Sequence, residues 1–170
     1  IIEATAVSAA GRITEGCLGL YNDTNEDALA ATLKSVRAWS AMPIGIQLAH
    51  AGRKASVHRP WEGGAPLAAA DGAWSSIAPS PEPYNDGWQT PEALDRSAMK
   101  SVIGEYTETV ARAARLGIDL IEIHAAHGYL LSQFLSPLAN KRADEYGGSQ
   151  EKRMRFPLEV VTAMRAAWPA

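Results

Sequence analysis

Two histidines and a tyrosine lie close together in the sequence, just after an apolar run. His124 and His127 follow the run at residues 120–123, and Tyr129 comes directly after Gly128. Two imidazole N–H groups can donate hydrogen bonds to one carbonyl or nitro oxygen and stabilise negative charge that develops there. A phenol, with a pKa of about 10, is protonated at neutral pH and can serve as a general acid. A lone histidine would more often bond to the backbone, but this grouping around a glycine favours catalysis.

The H-x-x-H spacing is also open to a second interpretation, a zinc site. Zinc usually takes three or four nitrogen, oxygen or sulfur ligands. Glu122 lies on the same strand and Asp144 lies farther along, but neither has a recognised ligand spacing relative to His124 and His127. We therefore predict no metal, and a zinc-dependent hydrolase that uses the two histidines remains the more distant alternative.

Gln47 lies within a second apolar run, between Ile46 and Leu48. Its amide offers two donors and an acceptor, which suits a heterocycle edge with alternating N–H and C=O groups. A buried glutamine that bonds to the backbone fits the same pattern equally well. Ala4, near the end of the first predicted strand, is small enough to let a flat ring approach.

Other reactive side chains carry weaker signals. His50, Arg53 and Lys54 follow the second strand in the segment HAGRK and could meet an anion. For Arg53 and Lys54, a solvated loop edge is the more common role. Cys17 is the only cysteine and has no acid or base partner nearby in the sequence, so we predict that it packs.

Composition limits the classes of protein that fit. The chain has 170 residues, 46% of them hydrophobic and 21% charged, which is ordinary for one globular domain. A net charge of −3 gives no basic field for nucleic acid or anionic lipid, and no run is long enough for a membrane helix. The single cysteine fits a reducing compartment, so we expect a cytoplasmic protein. The chain starts and stops within elements, so both ends look cut.

Hydrophobic periodicity predicts alternating strands and helices. Strands are expected at residues 1–7, 44–49 and 118–124, and a helix capped by Thr24 should run to about Trp39. Thr90 and Pro91 are expected to begin the longest helix. That helix should bury a stripe of apolar residues and end at Gly117: Met99, Val102, Ile103, Tyr106, Val110 and Ala113.

Two further segments lie between and after these elements. Residues 55–90 are rich in Pro, Gly and Ser, and we predict an ordered excursion with a hairpin that packs its tryptophans (Trp61, Trp74 and Trp88). A last helix capped by Ser149 should turn Leu158, Val161 and Met164 inward. Its Pro157 should kink the helix or shift its start.

This order of elements indicates parallel strands joined by helical crossovers, in either an open doubly wound sheet or a (β/α)₈ barrel. The polar candidates fall at the carboxyl ends of strands, where both architectures place their binding face. The dinucleotide fingerprint G-x-G-x-x-G follows none of the predicted strands. We therefore predict an α/β fold of the (β/α)₈ TIM-barrel type.

The segments GIQLAHAGRKAS, RPWEGG and IEIHAAHGYLLSQFLSPLANKRADEYGGSQEKRMRFPLEVV together resemble the Old Yellow Enzyme family. The likeness is greatest to its branch of xenobiotic reductases and bacterial NADPH dehydrogenases, and it runs over essentially all 170 residues. H-A-A-H-G-Y-L joined to N-K-R-x-D-E-Y-G-G-S is its most specific part.

The resemblance implies an FMN-dependent ene-reductase that passes hydride from NADPH or NADH, through the flavin, to the β-carbon of an activated alkene. By this resemblance His124 and His127 would bind the carbonyl or nitro oxygen of the substrate, and Tyr129 would protonate its α-carbon. Gln47 would contact the pyrimidine side of the flavin, and Ala4 would lie beside it. A dienoyl-CoA reductase-like enzyme is the nearest alternative within the fold.

Residues 1–170 should form a single segment of such a barrel, about strands 2–4 with their helices, because a complete barrel needs about 250 residues. Two open sheet edges and an uncovered inner face should then prevent tight FMN binding by this chain alone. We expect either a longer homo-oligomeric protein or a second chain that completes the barrel. A non-catalytic fragment that associates through its edges is a further alternative.

Overall fold

The structure, a computed structural model, describes residues 1–169. Its nine strands and α-helices alternate in the predicted α/β order, with a two-residue strand pair inserted before the longest helix. In chain order they are β1 (Ile2–Ala6), α1 (Asp23–Arg37), β2 (Gly45–Ala49), β3 (Ile77–Ala78), β4 (Glu92–Ala93), α2 (Arg96–Arg115), β5 (Leu120–Ile123), α3 (Leu130–Leu135) and α4 (Gln150–Ala167).

The main sheet has three parallel strands in the order β1-β2-β5. Ile46 and Leu48 of β2 are fully buried in a core that also contains side chains of α1, α2 and α4. Gln47 lies opposite Glu122 of β5 in the register, on the other face of the sheet. Side chains alternate between the two faces of a strand. The helices therefore cover the face that carries Ile46 and Leu48, and the face that carries Gln47 and Glu122 is left open.

The start of α1 differs from the prediction by two residues. Asn22, not Thr24, caps the helix: its side chain accepts a hydrogen bond from the Asn25 N–H at 2.8 Å. Both residue types are good caps, so composition alone did not separate them. The helix also ends at Arg37, and Trp39, which was expected within it, is 93% exposed.

The prediction that Thr90 and Pro91 begin α2 is wrong. The N–H groups of Glu92 and Leu94 donate to the carbonyls of Ser76 and Ala78, at 2.8 and 2.9 Å, so this segment is an extended strand. The helix instead begins after Asp95, whose carboxylate caps it. The predicted apolar stripe of α2 is otherwise confirmed, with Ile103 half-buried and the rest buried.

In α4 the Ser149 cap is confirmed, and the helix runs through Pro157 without a shifted start. The predicted inner face is wrong for Leu158 and Val161, which are 52% and 40% exposed. The buried residues are instead Phe156, Pro157, Val160 and Met164.

The excursion at residues 55–90 is ordered, with two single-turn 3₁₀ helices at Pro60–Glu62 and Ala69–Asp71. A short hairpin-like pairing is present at its start: Val57 and Pro66 form an antiparallel bridge, and the His58 N–H donates to the Ala65 carbonyl at 2.8 Å. β3 and β4, in contrast, pair in parallel. Trp74 is anchored by a hydrogen bond from its indole N–H to the Ala10 carbonyl at 3.1 Å. Trp61 is 80% exposed, so the expectation that it packs is wrong.

Candidate active site

His124 lies where β5 ends, and its backbone N–H donates to the Leu48 carbonyl of β2 at 2.9 Å. Its ring is largely buried, and its Nδ1 accepts a hydrogen bond from the Ala126 N–H at 3.2 Å. Burial lowers the pKa of His124, and His127 lowers it further. The neutral ring therefore carries its hydrogen on Nε2, which is free to act as a donor.

His127 is brought beside His124 by a tight turn. Its backbone has a φ of 54°, and the next residue, Gly128, has a φ of 72°. Left-handed backbone is unusual for a residue with a side chain, although histidine is among the types that adopt it more often. The two imidazole centroids lie 5.1 Å apart, with the rings at 79° to each other.

Tyr129 completes the group, because its ring centroid lies 4.9 Å from that of His124. The phenol is half-buried, and desolvation raises its pKa, with smaller contributions from Cys17 and Tyr84. A phenol in this setting stays protonated at neutral pH and can act as a proton donor. The three side chains predicted to work together are therefore adjacent in the structure.

Gln47 and Ala4 lie on the open face of the sheet. The Gln47 amide nitrogen donates to the Glu122 carboxylate, which leaves the amide oxygen available as an acceptor. Ala4 lies in a shallow depression that it shares with Ala49, Cys17 and Tyr129. Small side chains beside an oriented amide fit one edge of a flat heterocycle such as a flavin.

His50 is buried, whereas the anion-contacting role considered for it would need an accessible ring. It is 1% exposed, and its Nδ1 accepts the Gly52 N–H at 3.0 Å. Burial lowers the pKa of His50 to about 4, so the ring is neutral at pH 7. Arg53 also has a structural contact, because its Nη1 donates to the carbonyls of Glu82 and Pro83 at 3.0 and 3.2 Å.

Sequence reasoning missed Gln133 of α3, whose side chain bonds to the backbone of the histidine turn and to residues just after β2. It is 1% exposed, and its amide nitrogen donates to the carbonyls of Gly128 and Ala51 at 2.7 and 3.2 Å. Its amide oxygen accepts the Arg53 N–H at 3.3 Å. A polar residue inside the apolar run LLSQFL was the signal that could have identified it.

Sequence reasoning also gave Lys54 too small a role. Its ammonium donates to the His127 carbonyl at 3.1 Å and lies 5.0 Å from the centroid of the Tyr129 ring. Lys54 therefore joins the end of β2 to the turn that carries the second histidine.

A zinc site would need a third ligand beside the two histidines. Within residues 1–169, no three side chains of His, Cys, Asp or Glu are grouped closely enough to hold a metal ion. Over the same residues, no helix combines the length and the apolar character needed to cross a membrane.

Comparison with known proteins assigns the family. The sequence model for the NADH:flavin oxidoreductase / NADH oxidase family matches residues 1–168. The chain belongs to this family. The predicted Old Yellow Enzyme resemblance is confirmed, and with it the expectation of an oxidoreductase family that uses flavin and a nicotinamide reductant.

Several members of the family are similar over nearly the whole chain. The NADPH dehydrogenases of Geobacillus sp. (strain WCH70) and Bacillus subtilis (strain 168) are 44% and 41% identical over 168 residues, which is 99% of this chain. Among solved structures, morphinone reductase matches with a TM-score of 0.81 and 32% identity over 98% of this chain. A structure of morphinone reductase in complex with tetrahydroNAD matches with the same TM-score, 0.81.

The chain spans less than half of these family members, 45% of the two NADPH dehydrogenases and 46% of morphinone reductase. The predicted partial barrel of the TIM type is therefore confirmed as the fold class.

Proposed function

We propose that this chain supplies the substrate-activating part of the active site of an FMN-dependent ene-reductase, which acts on α,β-unsaturated carbonyl or nitro compounds. The observation that carries the proposal is the grouping of His124, His127 and Tyr129 at the carboxyl end of a parallel sheet, in a member of a flavin oxidoreductase family. In (β/α)₈ barrels, catalytic side chains lie at this end of the strands.

Each of the three side chains has a separate role in the proposal. His124 donates from Nε2 to the substrate oxygen, and His127 donates to the same oxygen from the neighbouring turn. Both hydrogen bonds strengthen as negative charge builds up on that oxygen, which lowers the barrier to reaction at the β-carbon. Tyr129 then gives its proton to the α-carbon, which it can do because its phenol is protonated at neutral pH.

FMN, when bound, supplies the hydride that it has received from NADPH or NADH. Gln47 would orient the pyrimidine edge of the flavin, and Ala4 would leave room for the ring beside it. Both lie on the open face of the sheet, adjoining the side chains that would bind the substrate. NADPH is the favoured reductant, because the similar bacterial enzymes are named NADPH dehydrogenases.

The remaining walls of the cofactor site would come from elsewhere. β1 and β5 are the outer strands of the sheet, and apolar grooves run beside each of them. Such edges are normally covered by further strands and helices. We propose that a longer homo-oligomeric polypeptide or a second chain covers them. A 170-residue product should therefore bind FMN more weakly than micromolar in a fluorescence titration, and micromolar or tighter binding would contradict this part of the proposal.

Replacement of Tyr129 by Phe tests the proton-donor role. In the flavin-loaded protein that carries this chain, Tyr129→Phe should slow alkene reduction by about 10²–10⁴-fold, the usual contribution of a general acid. Flavin reduction by NADPH, measured separately by stopped flow, should be nearly unchanged. Tyr146→Phe is the matched control, because that phenol contacts Glu159, away from the histidines. Equal losses in both half-reactions would refute the assignment.

Replacement of His124 by Ala tests the oxygen-binding role. Phenols mimic the substrate oxygen, so His124→Ala should weaken phenol binding by about tenfold, the equivalent of one hydrogen bond of about 1.4 kcal/mol. His58→Ala is the control, because His58 lies in the excursion. Unchanged phenol affinity in His124→Ala, measured by calorimetry, would count against the pair as oxygen donors.

A further inference from the structure

We propose that Tyr84, in the excursion at residues 55–90, forms the outer wall of the substrate site and favours substrates with a flat ring beyond the activated double bond. This inference rests on the proposed function and adds a specificity-determining residue to it. Tyr84 lies 45 residues before Tyr129 in the sequence, so only the fold relates the two.

One ammonium group connects Tyr84 to the site. Lys54 Nζ lies 4.8 Å from the Tyr84 ring centroid and 5.0 Å from the Tyr129 ring centroid. Both ring centroids therefore lie within 5.0 Å of the same nitrogen atom. The same nitrogen donates to the His127 carbonyl. Tyr84 and Tyr129 thus border the same ammonium group, and cation–π attraction holds the Tyr84 ring there.

The backbone before Tyr84 is also fixed. Arg53 binds the carbonyls of Glu82 and Pro83, the two residues that precede Tyr84. After Tyr84, Trp88 packs edge-on against its ring, with centroids 4.8 Å apart at 69°. These contacts before and after Tyr84 fix the position of its ring, although the ring lies on a segment without regular secondary structure.

The exposure of Tyr84 suits contact with a ligand. The residue is 43% exposed, so its ring keeps accessible surface while other parts of it contact Lys54 and Trp88. A substrate whose oxygen lies between the histidines would extend past Tyr129 toward this ring. The aromatic surface of Tyr84 favours a flat apolar ring there, by packing and edge-to-face contact.

Two phenols measure this contact directly. In the flavin-loaded protein that carries this chain, phenol should occupy the histidine pair alone, whereas 4-phenylphenol should add a second ring that reaches Tyr84. Tyr84→Ala should weaken 4-phenylphenol binding by about two- to tenfold, the range of an aromatic pair, and should leave phenol affinity within about twofold. Tyr84→Phe should keep the preference, because the ring and not the hydroxyl makes the contact.

A control variant and a second readout separate this role from a general disturbance of the excursion. Trp61→Ala removes another aromatic ring from the same excursion, but one that is 80% exposed, and should change neither affinity. Lys54→Met should accelerate amide hydrogen exchange at residues 82–88, because the attachment of Tyr84 is lost. Tyr84→Phe should not.

An unchanged ratio of the two affinities in Tyr84→Ala would overturn the inference. If His124→Ala still weakened phenol binding in that case, the proposed function would stand without this wall. Failure of the wild-type protein to bind either phenol would overturn both proposals together.

Discussion

Gln133 offers a sharp test of how the site is held, because one buried amide bonds to three backbone groups. It makes hydrogen bonds to Ala51, Gly128 and Arg53, at the end of β2 and in the histidine turn. Gln133→Met keeps nearly the same volume but removes both donors and the acceptor. The Gly128 carbonyl and the Arg53 N–H would then lose their partner, while the Ala51 carbonyl would keep its bond from the Lys54 N–H.

The expected loss of stability follows from the number of bonds. A typical hydrogen bond contributes about 0.5–1.5 kcal/mol to folding, and a buried group left without a partner costs at least as much. Three bonds around a side chain that is 1% exposed give a decrease of about 2–4 kcal/mol in the free energy of unfolding. The turn that carries His127 should also loosen, so phenol affinity should fall with stability.

Urea unfolding followed by tryptophan fluorescence measures this loss in the protein that carries this chain. The midpoint should fall while the slope stays constant, since the surface exposed on unfolding does not change. Gln150→Met is the matched control, because Gln150 is an exposed residue at the start of α4. A decrease below about 0.5 kcal/mol for Gln133→Met would refute the reasoning, since it would mean that the three bonds contribute almost nothing.

Three further predictions follow from buried contacts. Gly52→Ala should cost about 1–2 kcal/mol or more, because the backbone has a φ of 60° and the added Cβ would lie 2.5 Å from the Gln133 amide; urea unfolding checks it. The pKa of His50 is about 4 in the folded protein and near 6.5 in the unfolded chain, so the free energy of unfolding should be greatest above pH 6.5 and fall by up to about 3 kcal/mol toward pH 4. In urea unfolding across this range, the His50→Gln variant should show a smaller change of stability with pH. Arg112→Met removes hydrogen bonds of 2.7 and 2.6 Å to Asp23 and Glu26, and should lower the free energy of unfolding by about 1–3 kcal/mol, which thermal unfolding measures. Arg165→Met is the control, because Arg165 is exposed.

The grouping of the two histidines and the tyrosine was predictable because its members are neighbours in the sequence. His124, His127 and Tyr129 fall within six residues at a strand end, so a turn at Gly128 is enough to bring them together. The helical stripe of α2 was predictable for a similar reason, since local periodicity decides which of its residues are buried.

The features that sequence reasoning missed depend on contacts between distant residues. Thr90 and Pro91 have the local signature of a helix start, but the adjoining residues pair with Ile77 and Ala78 instead. α3 has only six residues and is stabilised by packing, with the ring centroids of Phe134 and Phe156 4.3 Å apart. Neither contact leaves a pattern in the local sequence.

Tyr84 and Gln133 illustrate the same limit within the site. Gln133 bonds to Ala51 across 82 positions, and Tyr84 reaches Lys54 across 30. Tyr84 carried no sequence signal beyond a loop, and Gln133 carried only that of a polar residue within an apolar run. Their contacts depend on the fold, which brings Gln133 to the Gly128 carbonyl and Tyr84 to the Lys54 ammonium.

Arg53 binds the excursion through the backbone carbonyl oxygens of residues 82 and 83. Every amino acid has such an oxygen, so this contact does not depend on the side chains at the two positions. Mutations in that segment can therefore change its side chains, including the ring proposed to contact a substrate, while its anchorage persists. A library that varies residues 82–86 and leaves Arg53 and Lys54 intact should yield altered molecular preferences on an undamaged catalytic framework.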